Sequence, residues 1–68
     1  MEPESLRQAI LAELARQDAT DPEQAVDVIA VRQTVGALQT DFERALAELT
    51  DKERVGLVVG KLYVRRNL

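Results

Sequence analysis

Three cations near the C-terminus are the residues whose type and spacing could do chemistry. Lys61, Arg65 and Arg66 lie close together in the chain, and Tyr63 lies between them. Clustered cations neutralise phosphate groups and release the counterions bound there. Charges on an edge strand also protect a sheet from edge-to-edge aggregation, so the cluster has a structural interpretation too. An anion-binding segment is the sharpest chemical feature that the sequence predicts.

Catalysis has little support in the residue types. The chain contains no His and no Cys, which removes the usual zinc ligands and the commonest general base. It also has no nucleophile–base pair, phosphate-binding glycine loop or calcium-binding loop. We therefore expect a protein that is not an enzyme, with no metal, no cofactor and no small-molecule substrate.

Length and composition indicate a small globular protein. The 68 residues are 46% hydrophobic and 31% charged, which predicts one domain over residues 1–68 with a thin core. No apolar run approaches the ~20 residues that span a bilayer, and the start of the chain is acidic, unlike a secretory signal. We therefore expect no membrane contact. Because the chain has no cysteine, we also expect a cytoplasmic protein.

Charge is distributed unevenly along the chain. Residues 1–51 contain eleven acidic and four basic residues, whereas residues 52–68 contain one acidic and five basic residues. An acidic body with a basic end is unlike a general nucleic-acid coat, but it allows a local contact by the basic end.

The first helix is predicted by apolar spacing. Leu6, Ile10 and Leu14 recur every four residues, which is the spacing of one helical face. The helix is expected over about residues 5–17, with Leu11 just beside this face.

The second helix is predicted by a start signal. Asp21 followed by Pro22 is typical of a helix N-terminus, and Gly36 suits its C-terminal end. We expect this helix over about residues 22–35. The β-branched residues within 25–31 also suit a short strand, but the preceding start signal favours a helix.

The third helix follows a capping pattern that begins at Thr40. It is expected over about residues 41–53. Its predicted core face consists of Phe42, Ala45, Leu46 and Leu49.

The last segment, over about residues 55–66, has the pattern of a β-hairpin. Gly60-Lys61 is the kind of pair that forms a two-residue type II′ turn. This turn predicts that Val59 pairs with Leu62 and that Leu57 pairs with Val64. One face would carry Leu57, Val59, Leu62 and Val64, and the other Val58, Lys61, Tyr63 and Arg65.

Two all-helical alternatives stay open. A capping pattern at residues 50–53 allows a fourth helix, which would hold Gly56 and Gly60 in its interior at about 1 kcal/mol each relative to Ala. Apolar residues between 28 and 49 also follow a heptad spacing. That spacing would suit a helical hairpin or a coiled-coil dimer, but Gly36 interrupts it. The β-hairpin is favoured over both.

Helix, helix, glycine turn, helix and hairpin is the element order of the winged helix-turn-helix family, and the chain resembles that family over nearly all its length. The matching stretches are DVIAVRQTVG as second helix and turn, TDFERALAELTDKER as third helix, and VGLVVGKLYVRR as wing. The resemblance implies a mainly α fold with a C-terminal β-hairpin. It also implies a small DNA-binding or transcription-regulatory protein.

In DNA-binding members of the family, the third helix enters the major groove and the wing contacts the DNA backbone. The resemblance thereby assigns a set of residues to contact with double-stranded DNA. They are Arg32, Gln33, Gln39, Thr40, Arg44, Lys61, Tyr63, Arg65 and Arg66. Tyr63 has an equal structural interpretation, in which its ring packs across the hairpin.

The third helix departs from the family pattern because its outer surface is net acidic. Asp41 and Glu43 suit the first turn of a helix, but Glu48 and Asp51 have no such explanation. Carboxylates repel phosphates and read bases only at selected cytosines. In any contact with nucleic acid, we therefore expect the wing to contribute more than the helix.

Surplus apolar residues predict a different kind of function. Leu11 lies beside the core face of the first helix, and Val26 and Ile29 lie off the face that Val28, Val31 and Val35 would form on the second. Apolar surface of this kind is typical of a site for a protein partner or a homodimer. Two hypotheses follow: a winged-helix DNA-binding or regulatory protein with a basic wing, and a winged-helix or helical interaction module that does not bind DNA.

Overall fold

The computed structural model describes residues 3–65 of the chain, and the side chains of residues 4–65. Its helices and strands are α1 (Pro3–Arg16), β1 (Val26–Asp27), α2 (Val28–Val35), α3 (Gln39–Asp51), β2 (Val55–Val58) and β3 (Lys61–Val64). A 3-10 turn, Pro22–Gln24, precedes β1. The three strands form an antiparallel sheet in the order β1-β3-β2. Three helices with this small sheet are compatible with a winged-helix layout.

The core lies between the helices and one face of the sheet. α1 packs against α2, α3 and β3. The predicted faces of α1 and α3 are buried, except that Leu46 is only half-buried. The buried apolar residues are Leu6, Ile10, Leu14, Ala19, Val31, Phe42, Ala45, Leu49, Val55 and Leu62. The apolar spacing in the sequence therefore identified most of the core.

The second helix begins later than predicted. The Asp21-Pro22 signal starts only the 3-10 turn, and the Asp21 side chain makes no capping hydrogen bond. Val26 instead pairs with Leu62 as part of β1, and Asp27 caps α2 by accepting a hydrogen bond from the Ile29 N–H at 2.8 Å. The strand alternative for this segment is correct for two residues, because pairing with β3 satisfies their backbone groups.

The bounds of the other two helices also differ from the prediction. α1 begins at Pro3 and ends at Arg16. α3 begins at Gln39, with Leu38 in the N-cap position, so Thr40 lies inside the helix. It ends at Asp51, and Glu53 then adopts the left-handed conformation with φ of 57°.

The hairpin forms, but its turn lies one residue earlier than predicted. Val59 and Gly60 occupy the turn with φ of 48° and 75°, the signs of a type I′ turn rather than type II′. Leu57 consequently pairs with Leu62 rather than Val64. This register differs from the predicted one by two residues, so the remaining strand residues keep their predicted faces. Val59 leaves the core face and is 94% exposed.

Within residues 3–65, neither all-helical alternative is present. α2 ends at Val35, and Gly36 takes the left-handed C-cap conformation with φ of 73°. The spacing that resembled a heptad seam arises because α2 and α3 each bury one apolar face against the same core.

Candidate interaction site

The cations of the hairpin lie beside carboxylates. Lys61 is exposed and is the register partner of Asp27 in β1. The exposed Arg65 has its Nη1 atom 4.0 Å from Oε1 of Glu53. Arg66, the third predicted phosphate contact, lies outside the described residues. Nearby negative charge thus reduces the positive field of the described part of the basic cluster.

Tyr63 packs across the hairpin. It pairs with Gly56 in β2, and a Cβ atom at Gly56 would overlap the Tyr63 ring. The ring occupies the space that a side chain at Gly56 would need, and Tyr63 is half-buried. This position agrees with the interpretation in which the Tyr63 ring packs across the hairpin.

The helix residues predicted to approach DNA differ in whether their side chains are exposed or already hydrogen-bonded within the protein. Arg32 is half-buried and donates from Nη1 to the Ala37 carbonyl oxygen at 3.5 Å. Gln39 donates from Nε2 to Oε1 of Glu43 at 3.1 Å. The remaining three, Gln33, Thr40 and Arg44, are exposed.

The outer face of α3 is acidic, as the sequence indicated. Asp41, Glu43 and Asp51 are exposed, and Arg44 is the one basic residue of this helix. Glu48 faces α1, where it forms an ion pair with Arg7. The pairing supplies the structural explanation for Glu48 that the sequence lacked, whereas Asp51 stays on the exposed face.

A groove runs along α3 between α2 and β2. Its first part has a volume of about 210 Å³ and is lined by Val28, Ile29, Arg32, Gln39, Phe42, Glu43 and Leu46. A shallower part continues from Glu43 and Leu46 to Leu57, past Ala47, Thr50 and Asp51. These two neighbouring depressions share Glu43 and Leu46, and we call them together the α3 groove. It is lined mainly by apolar residues, with Glu43 and Asp51 as its carboxylates and Arg32 as its one cation.

The predicted partner surface is only partly exposed. Ile29 is 57% exposed and lines the α3 groove. Leu11 and Val26 are half-buried and pack against the core. The groove also contains Leu46 and Leu57, which the sequence assigned to core faces, and Leu57 is 57% exposed. No sequence signal marked these two, because their exposure depends on how far β2 covers α3.

A further polar cluster lies at the end of α1. Glu13 is only 8% exposed, and Arg16 donates to both of its carboxylate oxygens, at 2.9 and 2.6 Å. The hydrogen bonds from Arg16 and then Gln17 lower the pKa of Glu13 below its ordinary value. They also satisfy the carboxylate, so this cluster has a structural role. Within residues 3–65, no group of three or more acidic side chains is placed to hold a metal ion.

Comparisons with known proteins give no match from which a function could be transferred to this chain. No protein-family model matches the chain, and no curated protein or solved structure matches it. In the part of the chain that the structure describes, no helix is long and apolar enough to cross a membrane.

Proposed function

We propose that this protein is a small winged-helix-like module that acts by binding another protein, with the α3 groove as its docking surface. The observation that carries the proposal is the composition of the groove. Ile29 and Leu57 are more than half exposed there and lie on either side of Leu46. Exposed apolar residues that are rimmed by polar ones are typical of interaction surfaces.

The charges of α3 support a protein partner over DNA. Its exposed face carries three carboxylates and one guanidinium. A helix in the major groove lies close to phosphates, where cations raise affinity and carboxylates reduce it. A basic and apolar protein segment has no such conflict with Glu43 and Asp51, which outnumber Arg32 among the charged residues that line the groove.

Selection of binding peptides from a random displayed library tests this proposal. We expect the selected peptides to combine apolar residues with Lys or Arg, and to bind Ile29→Gln and Glu43→Gln variants about tenfold more weakly. Arg44→Gln is the matched control, because Arg44 is exposed on α3 but does not line the groove. Circular dichroism of each variant would confirm that it folds. Equal binding by all three variants would place the docking surface elsewhere and contradict the proposal.

DNA binding through the hairpin is the second candidate function. It is favoured by the order of the elements, which is compatible with a winged-helix layout, and by the exposure of Lys61 and Arg44. A titration of duplex DNA at several salt concentrations, with sedimentation of the same samples, separates the two candidates. Affinity that falls steeply with salt and weakens in Lys61→Ala supports DNA binding. Absence of salt-sensitive binding at low ionic strength rules it out, and sedimentation reports any homodimer.

A further inference from the structure

The β2 strand has an open outer edge. In an antiparallel pair, hydrogen-bonded and non-hydrogen-bonded residue pairs alternate. The Arg65 N–H donates to the Arg54 carbonyl oxygen at 2.9 Å, so Gly56 and Val58 direct their backbone groups to β3. Val55 and Leu57 therefore direct theirs away from the sheet. In residues 3–65, no backbone or side-chain group is placed to bond the outer groups of Leu57.

The β2 edge lacks the side chains and bulges that usually block strand pairing. Natural edge strands are protected by charged side chains, prolines, bulges or very short length. β2 has the sequence Val-Gly-Leu-Val and pairs with β3 without a bulge. The opposite edge differs, since β1 is only two residues long and contains Asp27. Peptide recognition by strand addition uses an exposed sheet edge of this kind.

The open edge lies directly beside the α3 groove. Leu57 belongs to both, because its side chain lines the groove with Leu46 and Ala47 while its backbone faces outward. Successive side chains of a strand point to opposite faces. A strand added to β2 would thus place every second side chain over the groove, near Asp51 and Glu43.

The charges around β2 favour a different protein over a second copy of this chain as the occupant of the open edge. In a dimer joined through β2, the added strand would be Val55–Val58, which contains no cation. The acidic faces of the two α3 helices would then lie on one continuous surface, and like charges repel. A segment that carries Lys or Arg would instead be attracted to Glu43 and Asp51.

We propose that β2 receives an extended segment of a protein partner as an additional strand of the sheet. The segment has an apolar residue and a Lys or Arg two positions apart, both on the side that faces α3. The apolar side chain packs on Leu46 and Leu57, and the cation lies near Asp51 or Glu43. This inference rests on the proposed function and specifies how the partner is bound.

The test uses a synthetic heptapeptide in which Lys, Leu and Arg alternate with Thr. Added to the full-length protein, it should slow hydrogen exchange of the Leu57 amide, measured by NMR. Two further versions are N-methylated, one at the Lys, Leu and Arg positions and the other at the Thr positions. A strand uses only one of its edges in pairing, so one version should lose binding while the other retains it. A helical peptide would lose binding in both versions.

A pair of protein variants supplies a second measurement. Leu57→Pro removes the outward N–H, whereas Leu57→Val retains it, and both shorten the side chain. We expect the heptapeptide to bind the Pro variant about tenfold more weakly than the Val variant. If the Pro variant does not fold, the N-methylated peptides still decide the question.

Failure of this inference is distinguishable from failure of the proposed function. The strand mode is overturned if the heptapeptide does not bind, if the Leu57 amide is not protected, or if both N-methylated versions lose binding. Library-selected peptides that still depend on Ile29 and Glu43 would then preserve the groove as a docking surface. Library-selected peptides that bind every groove variant equally would overturn both.

Discussion

At the scale of single residues, Val59 shows the clearest mismatch between the type of a residue and the backbone conformation that it adopts. Its φ of 48° lies in the left-handed region, which costs a non-glycine residue about 1–2 kcal/mol. At 94% exposure its side chain gains little from burial in return. Asn tolerates this conformation, and Asn-Gly is the favoured pair for a type I′ turn.

We therefore predict that Val59→Asn stabilises the protein by about 1 kcal/mol. Urea unfolding followed by circular dichroism measures the free energy of unfolding. The matched control is Val58→Asn, which makes the same replacement one residue earlier, in β2 and outside the turn. This control should give no gain. A Val59→Asn protein no more stable than the wild type would show that the turn does not strain the valine.

At the scale of elements, the start of α2 depends on Asp27. The helix has only eight residues, so the satisfaction of its first N–H groups matters for its stability. Asp27 accepts from the Ile29 N–H, whereas Asp21, which the sequence favoured as a cap, makes no side-chain capping bond.

Alanine at these two positions should have unequal effects. We predict that Asp27→Ala lowers the free energy of unfolding by about 1 kcal/mol, whereas Asp21→Ala changes it by less than about 0.5 kcal/mol. Thermal and urea unfolding of both variants provide the comparison. The reverse order would mean that the helix begins at the Pro22 signal after all.

At the scale of the whole molecule, Glu13 couples stability to pH. Its pKa is lowered in the folded state by hydrogen bonds from Arg16 and Gln17, so the unfolded chain binds a proton more readily. The contribution of Glu13 is fully present above its ordinary pKa of 4.5. It is lost as the pH falls through the lower pKa of the folded state.

We predict that Glu13→Gln is less stable than the wild type at neutral pH and that the difference shrinks in acid. Urea unfolding at about pH 7 and about pH 3 measures both free energies. Arg7 and Glu48 form a separate ion pair, which both proteins retain, so it does not contribute to the difference between them. A difference that stays constant over this range would mean that Glu13 does not stabilise the fold through its charge.

The sequence by itself determined the elements whose signals are local. Apolar residues at helical spacing identified the buried faces of α1 and α3, and Gly36 marked the end of α2. The strand faces of the hairpin were also predictable although its turn was misplaced, because a register shift of two residues preserves the side-chain alternation.

Only the tertiary structure decided the features that depend on distant parts of the chain. β1 exists because Val26 pairs with Leu62, and this pairing overrides the helix signal at Asp21-Pro22. The α3 groove is equally non-local: Ile29, Leu46 and Leu57 belong to three different elements. Their joint exposure follows from packing geometry, since spacing along a sequence predicts the face of an element but not how completely its neighbours cover that face.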